Sequence, residues 1–241
     1  IVQVALLTGI ATNVQRLLDE SAPVGDPAAA DTAIFYSISN TQLGLRGISF
    51  GEYLIKRVVA ELRHDLPRIS TFATLSPIPG FRVWLKARLK PGAREDELLL
   101  PEERTALAAL VPIGEESALR SLLGRRAWNE DPTLCRALEV PLTRLCARYF
   151  GERRVDGEPI DPVARFHLGN GARLDRIQWQ ADTSRQGLRQ SFGLMAGYRY
   201  DLGRIEELQG GYENERRLAV APAVLTLLQQ SGTDLSRVDV R

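Results

Sequence analysis

Three short segments of the sequence carry residue types able to do chemistry. The first is Arg46-Gly47-Ile48-Ser49-Phe50-Gly51-Glu52, at the start of an amphipathic stretch, Phe50–Asp65. Backbone N–H groups at a helix N-terminus face outward at the positive end of the helix dipole, and small residues let a phosphate approach them. The spacing approximates the R/Q-x-x-G-x-G/A of a pyrophosphate loop, with Ser49 where glycine is usual. It is not a Walker A loop, since no Gly-Lys-Ser/Thr follows. The competing reading is a strand-to-helix turn in which glycine relieves the backbone. The second segment is Thr74-Leu75-Ser76-Pro77-Ile78-Pro79-Gly80-Phe81. Ser76 ends a strand, at the carboxyl edge where open α/β sheets take ligands. Otherwise it is a Ser-Pro turn whose hydroxyl bonds its own backbone. The third is Phe166-His167-Leu168-Gly169-Asn170-Gly171-Ala172. His167 is either a proton donor near neutral pH or a core or capping histidine.

Less specific residues surround these. His64 ends an exposed helix face, where a cation suits the dipole. Asp182 caps the next helix with Thr183 and Ser184, or orients a histidine. Tyr198-Arg199-Tyr200 reads as one strand with alternating faces. Glu102-Glu103 and Glu115-Glu116 read as solvated first-turn acids.

The elements that must position these groups follow from periodicity. Residues 1–7, 32–39 and 69–75 read as strands, with Asn13 or Thr12 capping a short helix between the first two. In Phe50–Asp65, Tyr53, Leu54, Val58 and Leu62 recur at helical spacing, and Pro67 stops the helix. Strand, glycine loop, helix and strand make a β-α-β unit with a partly parallel sheet. Residues 81–111 and 115–150 read as mostly helical, with Pro141 kinking or splitting the last helix. Asp161-Pro162 opens the helix that holds His167, and Gly169-Asn170-Gly171 ends it. Residues 172–181 and 194–200 read as strands, and 216–230 include a final amphipathic helix. The order is sheet, helical block, sheet, so the fold class is α/β with a mixed sheet and a helical insertion at about 85–150.

Composition narrows the function classes. The chain has 241 residues, of which 44% are hydrophobic and 25% charged, an ordinary globular composition with material for a sizeable core. Thirty-one basic residues against 30 acidic ones give a net charge of +1, which argues against nucleic acid as partner. Only Lys56, Lys86 and Lys90 are lysines; the other basic residues are arginines, as codon bias or anion recognition produces. Cys135 and Cys146 lie on one helical stretch about 16 Å apart, too far for a disulfide. They read as buried free thiols of a reducing, cytoplasmic compartment. Two histidines and two cysteines make a zinc site a poor expectation. No apolar run is long enough for a membrane span. The chain starts at Ile1 within a strand, which reads as a fragment of a longer protein.

Taken together, these segments resemble the malonyl-CoA decarboxylases. The resemblance rests on TAIFYSIS at 32–39, Gly44-Leu45-Arg46-Gly47, GEYLIKRVV at 51–59, LSPIPGF at 75–81, PLTRLCARY at 141–149, DPVARFHLGNGA at 161–172 and GLMAGYRY at 193–200. It implies a GNAT-like acyl-CoA-binding catalytic domain over 1–241, preceded in the family by a helical domain involved in assembly. It also implies conversion of malonyl-CoA to acetyl-CoA and CO2 with no metal, biotin or other cofactor. Ser76 and His167 would be catalytic. Arg46, Gly47, Ile48, Ser49, Phe50, Gly51 and Glu52 would meet the CoA phosphates, although the family varies at Arg46 and Ser49. A homo-oligomer formed through the helical domain, in the cytoplasm of a bacterium, is the implied setting. His167 would protonate carbon 2 of the enolate, with Ser76 positioning the substrate or relaying the proton. The rival readings are a CoA-dependent acyltransferase and a non-catalytic acyl-CoA-binding module.

Overall fold

The computed structural model describes residues 1–38, 50–92 and 94–240. Strand β1 (Val2–Leu7) precedes a single helical turn, α1 (Val14–Leu17), capped by Asn13, whose side chain accepts from the Arg16 N–H. Next come β2 (Thr32–Ile38), α2 (Phe50–Asp65) and β3 (Thr71–Thr74). β2 and β3 run parallel, from Thr32 against Thr71 to Phe35 against Thr74, so the expected β-α-β unit forms. Alternation along TAIFYSI sets its two faces. Ala33 and Phe35 meet Ile55 and Val59 of α2 in the main core, while Ile34 joins Ala73, Leu75 and Met195 in a smaller cluster beneath α1.

The chain continues through β4 (Ser76–Pro77), α3 (Phe81–Arg88), α4 (Pro101–Ala108), α5 (Ala118–Gly124) and α6 (Pro132–Gly151). It then forms α7 (Pro162–Gly169), β5 (Arg173–Gln178), α8 (Arg185–Ser191), β6 (Met195–Tyr200) and α9 (Ile205–Glu215). β7 (Leu218–Val220), α10 (Pro222–Gln230) and β8 (Val238–Val240) complete it. The described residues make one mixed sheet in the order β1-β2-β3-β6-β5-β7-β8, with β4 also paired to β6.

Several expectations need correction. α6 runs through Pro141 unbroken. Its buried residues Leu138, Leu142 and Leu145 hold both halves in the core, which offsets the roughly 3 kcal/mol that an interior proline costs. Cys135 is half-buried rather than buried, with its Sγ 3.2 Å from the Asn129 carbonyl; Cys146 is buried, and both thiols are free. Glu103 is no solvated acid: it is buried against Arg144. The final helix expected within 216–230 is α10, preceded there by the short strand β7; helix α9 and strand β8 are further elements that the periodicity did not assign. Ile205, Leu208 and Tyr212 bury one face of α9 across Gly210-Gly211, a pair that reads as a turn by itself.

Candidate active site

The sheet splits where Ser76 stands. β2 and β3 stay in register to Phe35 and Thr74, and Leu75 N–H still reaches the Phe35 carbonyl at 3.2 Å. Beyond that point β2 continues beside β1, whereas Ser76 and Pro77 pair with Ala196 and Met195 of β6. Pro77 has no N–H to give β2, which favours the separation. A cavity of about 260 Å³ opens in the gap, lined by the end of β2, Ser76, Pro77, Pro162, Val163, Phe166 and His167.

His167 reaches this cavity from α7. Asp161 starts that helix, accepting the N–H groups of Val163 and Ala164 at 2.9 and 2.8 Å, with Pro162 at the first helical position. Tyr149 of α6 donates its hydroxyl to the other Asp161 oxygen at 3.0 Å, so the helical block fixes the start of α7. Gly80 allows this approach, since a Cβ there would strike the Tyr149 hydroxyl. At the far end, Gly171 turns the chain into β5 at φ +75°, where a Cβ would meet the Ile205 carbonyl. His167 lies in the last turn, 3% exposed.

Four groups bind the imidazole into one network. Ser76 Oγ donates to Thr74 Oγ1 at 2.8 Å, and Thr74 Oγ1 also accepts the Tyr198 N–H at 3.1 Å. Ser76 Oγ lies 3.1 Å from His167 Nε2, and His167 Nδ1 lies 2.9 Å from the Tyr200 hydroxyl. With the Ser76 proton on Thr74, the tautomer that satisfies both contacts has Nε2–H donating to Ser76 Oγ and Nδ1 accepting from Tyr200. The Tyr198 ring stacks on the imidazole at 4.3 Å, and Phe166 meets its edge at 5.0 Å. Burial pushes the His167 pKa down to about 3, so the ring is neutral at pH 7. Burial likewise raises Tyr198, Tyr200 and Asp161, keeping the phenols protonated.

Ser76 and His167, far apart in sequence, are thus in contact. Of the candidate phosphate loop, Arg46, Gly47, Ile48 and Ser49 lie outside the described residues. Phe50, Gly51 and Glu52 form the first turn of α2. Asn170 caps α7 and is buried, with its Nδ2 unpartnered among the described residues. Asp182 accepts from Gln15 and Ser184 and serves the turn before α8; Ser184 is the N-cap. Sequence reasoning missed Tyr200, Thr74 and the Tyr149–Asp161 pair. The period-two alternation of β6 does put Tyr198 and Tyr200 on one face, but it does not say that His167 lies over it.

Residues 1–238 match the family model described as the malonyl-CoA decarboxylase C-terminal domain. The chain belongs to the malonyl-CoA decarboxylase family. It is 40% identical over 235 residues to the mitochondrial malonyl-CoA decarboxylase of Anser anser anser, covering 95% of this chain and 47% of that protein. The Rattus norvegicus enzyme is 38% identical over the same length, with 48% of it covered. The crystal structure of malonyl-CoA decarboxylase from Rhodopseudomonas palustris is 44% identical, with a TM-score of 0.80 over 94% of this chain and 48% of that one. The one from Agrobacterium vitis has the same identity and TM-score and covers 52% of its chain. The chain therefore spans about half the length of the malonyl-CoA decarboxylases it matches.

The neutral histidine gives this family member a pH signature. An unfolded histidine takes its proton near pH 6.5, whereas folded His167 waits until about 3. Below pH 6.5 the unfolded chain binds the extra proton, so stability falls with falling pH by up to about 1.4 kcal/mol per unit. The raised Asp161 acts with the opposite sign, since the folded state takes its proton first. His167→Gln removes only the histidine part. Urea midpoints between pH 7 and 5 are expected to drop more steeply for the native chain than for the variant; parallel curves would contradict a neutral, buried His167.

Proposed function

We propose that this chain decarboxylates malonyl-CoA to acetyl-CoA and CO2. The observation that carries the reading is the His167–Ser76 contact at the wall of the cavity where β2 and β4 part. That gap is where a GNAT-like acyl-CoA fold would take a thioester arm, with the start of α2 toward the phosphates.

The chemistry needs no cofactor. As the C2–C3 bond of the malonyl group breaks, its electron pair moves into the thioester carbonyl and CO2 leaves. The enolate then takes a proton at carbon 2. Phe35, Val163, Phe166 and Pro77 line the cavity with apolar surface, which strips water from the malonyl carboxylate. His167 presents Nε2–H to the same space. A carboxylate or enolate oxygen brought against it favours the imidazolium, so His167 takes up one proton from water as the anionic substrate enters, gives one to carbon 2 of the enolate and returns to the neutral ring. Ser76 positions the substrate beside Nε2. An acyl-serine is disfavoured, because Nε2 already holds its proton and cannot take the one on Ser76. Tyr200 and Tyr198 orient the ring.

A homo-oligomer in a bacterial cytoplasm remains part of this reading, supported by the free thiols and the arginine bias. No helix among the described residues is long and apolar enough to cross a membrane. The test is CO2 and acetyl-CoA release from malonyl-CoA, with EDTA present and no acceptor amine. Equal amounts of both products are expected. Free CoA thiol and an amide, without CO2, appearing only when an amine is added would make the chain an acyltransferase, and CoA binding without turnover would make it a binding module.

A further inference from the structure

A second cavity, of about 550 Å³, opens between α3, α5 and the end of α8, and shares no lining residue with the one at Ser76 and His167. Arg82, Lys86, Lys90 and Arg120 line it, and Leu123 and Phe192 add apolar surface. Two of the three lysines in an otherwise arginine-based chain are here. No acidic residue is in the lining. Arg120 is engaged by Glu116 at 2.8 Å and by the Leu89 carbonyl at 3.3 Å, which leaves Arg82, Lys86 and Lys90 as the cations facing the cavity.

This charge is costly unless something compensates it. Arg82 and Lys86 lie four positions apart on α3, which stacks like charges on one face of the helix, and Lys90 follows just beyond its C-cap, Leu89. The helix dipole accounts for Lys86 in the last turn but not for Arg82 in the first. Arg82 is nonetheless held in place. Its Nη1 donates to the Leu188 carbonyl at 2.7 Å and its guanidinium lies 5.0 Å from the centre of the Phe192 ring. Burial and the nearby Arg189 both depress its pKa, so a further cation faces the same place. The cavity at Arg63, Arg173 and Arg199 differs: Asp201 is in its wall and Arg173 is spent on Asp175.

We propose that the α3–α5–α8 cavity binds an organic phosphate, with the phosphate oxygens among Arg82, Lys86 and Lys90 and the apolar body against Leu123 and Phe192. Guanidinium forks grip phosphate through paired N–H groups, and the lysines add point charges. The volume is in the range of sites for small ligands. Such a ligand would also brace the active site. Phe192 packs 5.9 Å from Phe81, at the start of the helix that follows Ser76-Pro77, and β6 begins opposite Pro77.

Titration calorimetry with ADP and with inorganic pyrophosphate, at fixed ionic strength, tests the site without reference to catalysis. The chain is compared with Lys86→Gln/Lys90→Gln, whose exposed side chains leave the fold intact. ADP is expected to bind, pyrophosphate to compete, and the lysine double variant to bind at least roughly tenfold more weakly, as loss of a charge-assisted hydrogen bond implies. Equal affinity in the lysine double variant, or no binding at millimolar ADP, would overturn the proposal. Free CoA in the same titrations identifies the source of the phosphate. A matching CoA loss in the double variant makes the ligand the nucleotide end of CoA, and unchanged CoA affinity makes it a separate nucleotide.

Discussion

Replacing His167 by alanine is expected to lower kcat for CO2 release by about 10²–10⁴-fold, the usual range for a lost general acid. CoA affinity should stay unchanged, because the proposed site for the nucleotide arm is the start of α2 rather than His167. The imidazole at the cavity wall is held at both nitrogens, by Ser76 at 3.1 Å and by Tyr200 at 2.9 Å. Alanine also removes the partner of two buried tyrosine rings, so a fall in activity alone does not separate chemistry from packing. His167→Gln keeps volume and an N–H donor but has no titrating nitrogen, and should be nearly as impaired. Tyr200→Phe separates the two roles further. It leaves the ring stacked on Tyr198 but frees Nδ1, so turnover should fall about tenfold, as loss of one buried hydrogen bond implies, with an altered pH profile. Full kcat in His167→Ala with a native melting curve would remove the histidine from the mechanism.

The parts of this site that periodicity governs were legible in the sequence. TAIFYSI alternates, Phe50–Asp65 repeats at helical spacing, and parallel β2 and β3 follow from joining them. Asp161-Pro162 and Gly171 mark the ends of α7 by their own chemistry, so His167 was placed on its helix before any contact was known. What periodicity does not carry is pairing between distant segments. Ser76 meets His167 because β4 pairs with β6 and Tyr198 of β6 packs against the imidazole, and no local signal encodes that arrangement. Tyr200 was assigned to the correct strand, but its hydroxyl partner was not. Strands of three residues, such as β7 and β8, are too short to show alternation. Glu103 failed for a different reason. An acid in the first turn of a helix has a sufficient local explanation in the dipole, and nothing nearby announces an arginine 41 residues away.

That arginine leads to the second large effect. Glu103→Gln is expected to destabilise the chain by about 3–5 kcal/mol, the range for breaking a buried ion pair. The side chains of Arg144 and Glu103 are 3% and 5% exposed. The guanidinium forks onto both carboxylate oxygens, at 2.8 Å from Nε and 2.5 Å from Nη2, and Nη2 also reaches the Leu98 carbonyl at 2.7 Å. Glu103 in turn accepts the Leu100 N–H at 2.9 Å, closing the start of α4. Gln leaves Arg144 charged, buried and half-satisfied, against a total folding stability of about 5–15 kcal/mol for such a domain. Replacing both partners with apolar residues, Glu103→Leu with Arg144→Met, should cost far less, because no unpaired charge remains. Urea unfolding of the two single variants and the double variant measures the difference. Additive losses would contradict a coupled buried pair. Arg144 is five positions before Tyr149 on α6, and Tyr149 holds the Asp161 that starts α7. Loosening α4 against α6 should therefore reach His167: at temperatures where Glu103→Gln is still folded, its kcat should fall while the apolar double variant keeps its activity.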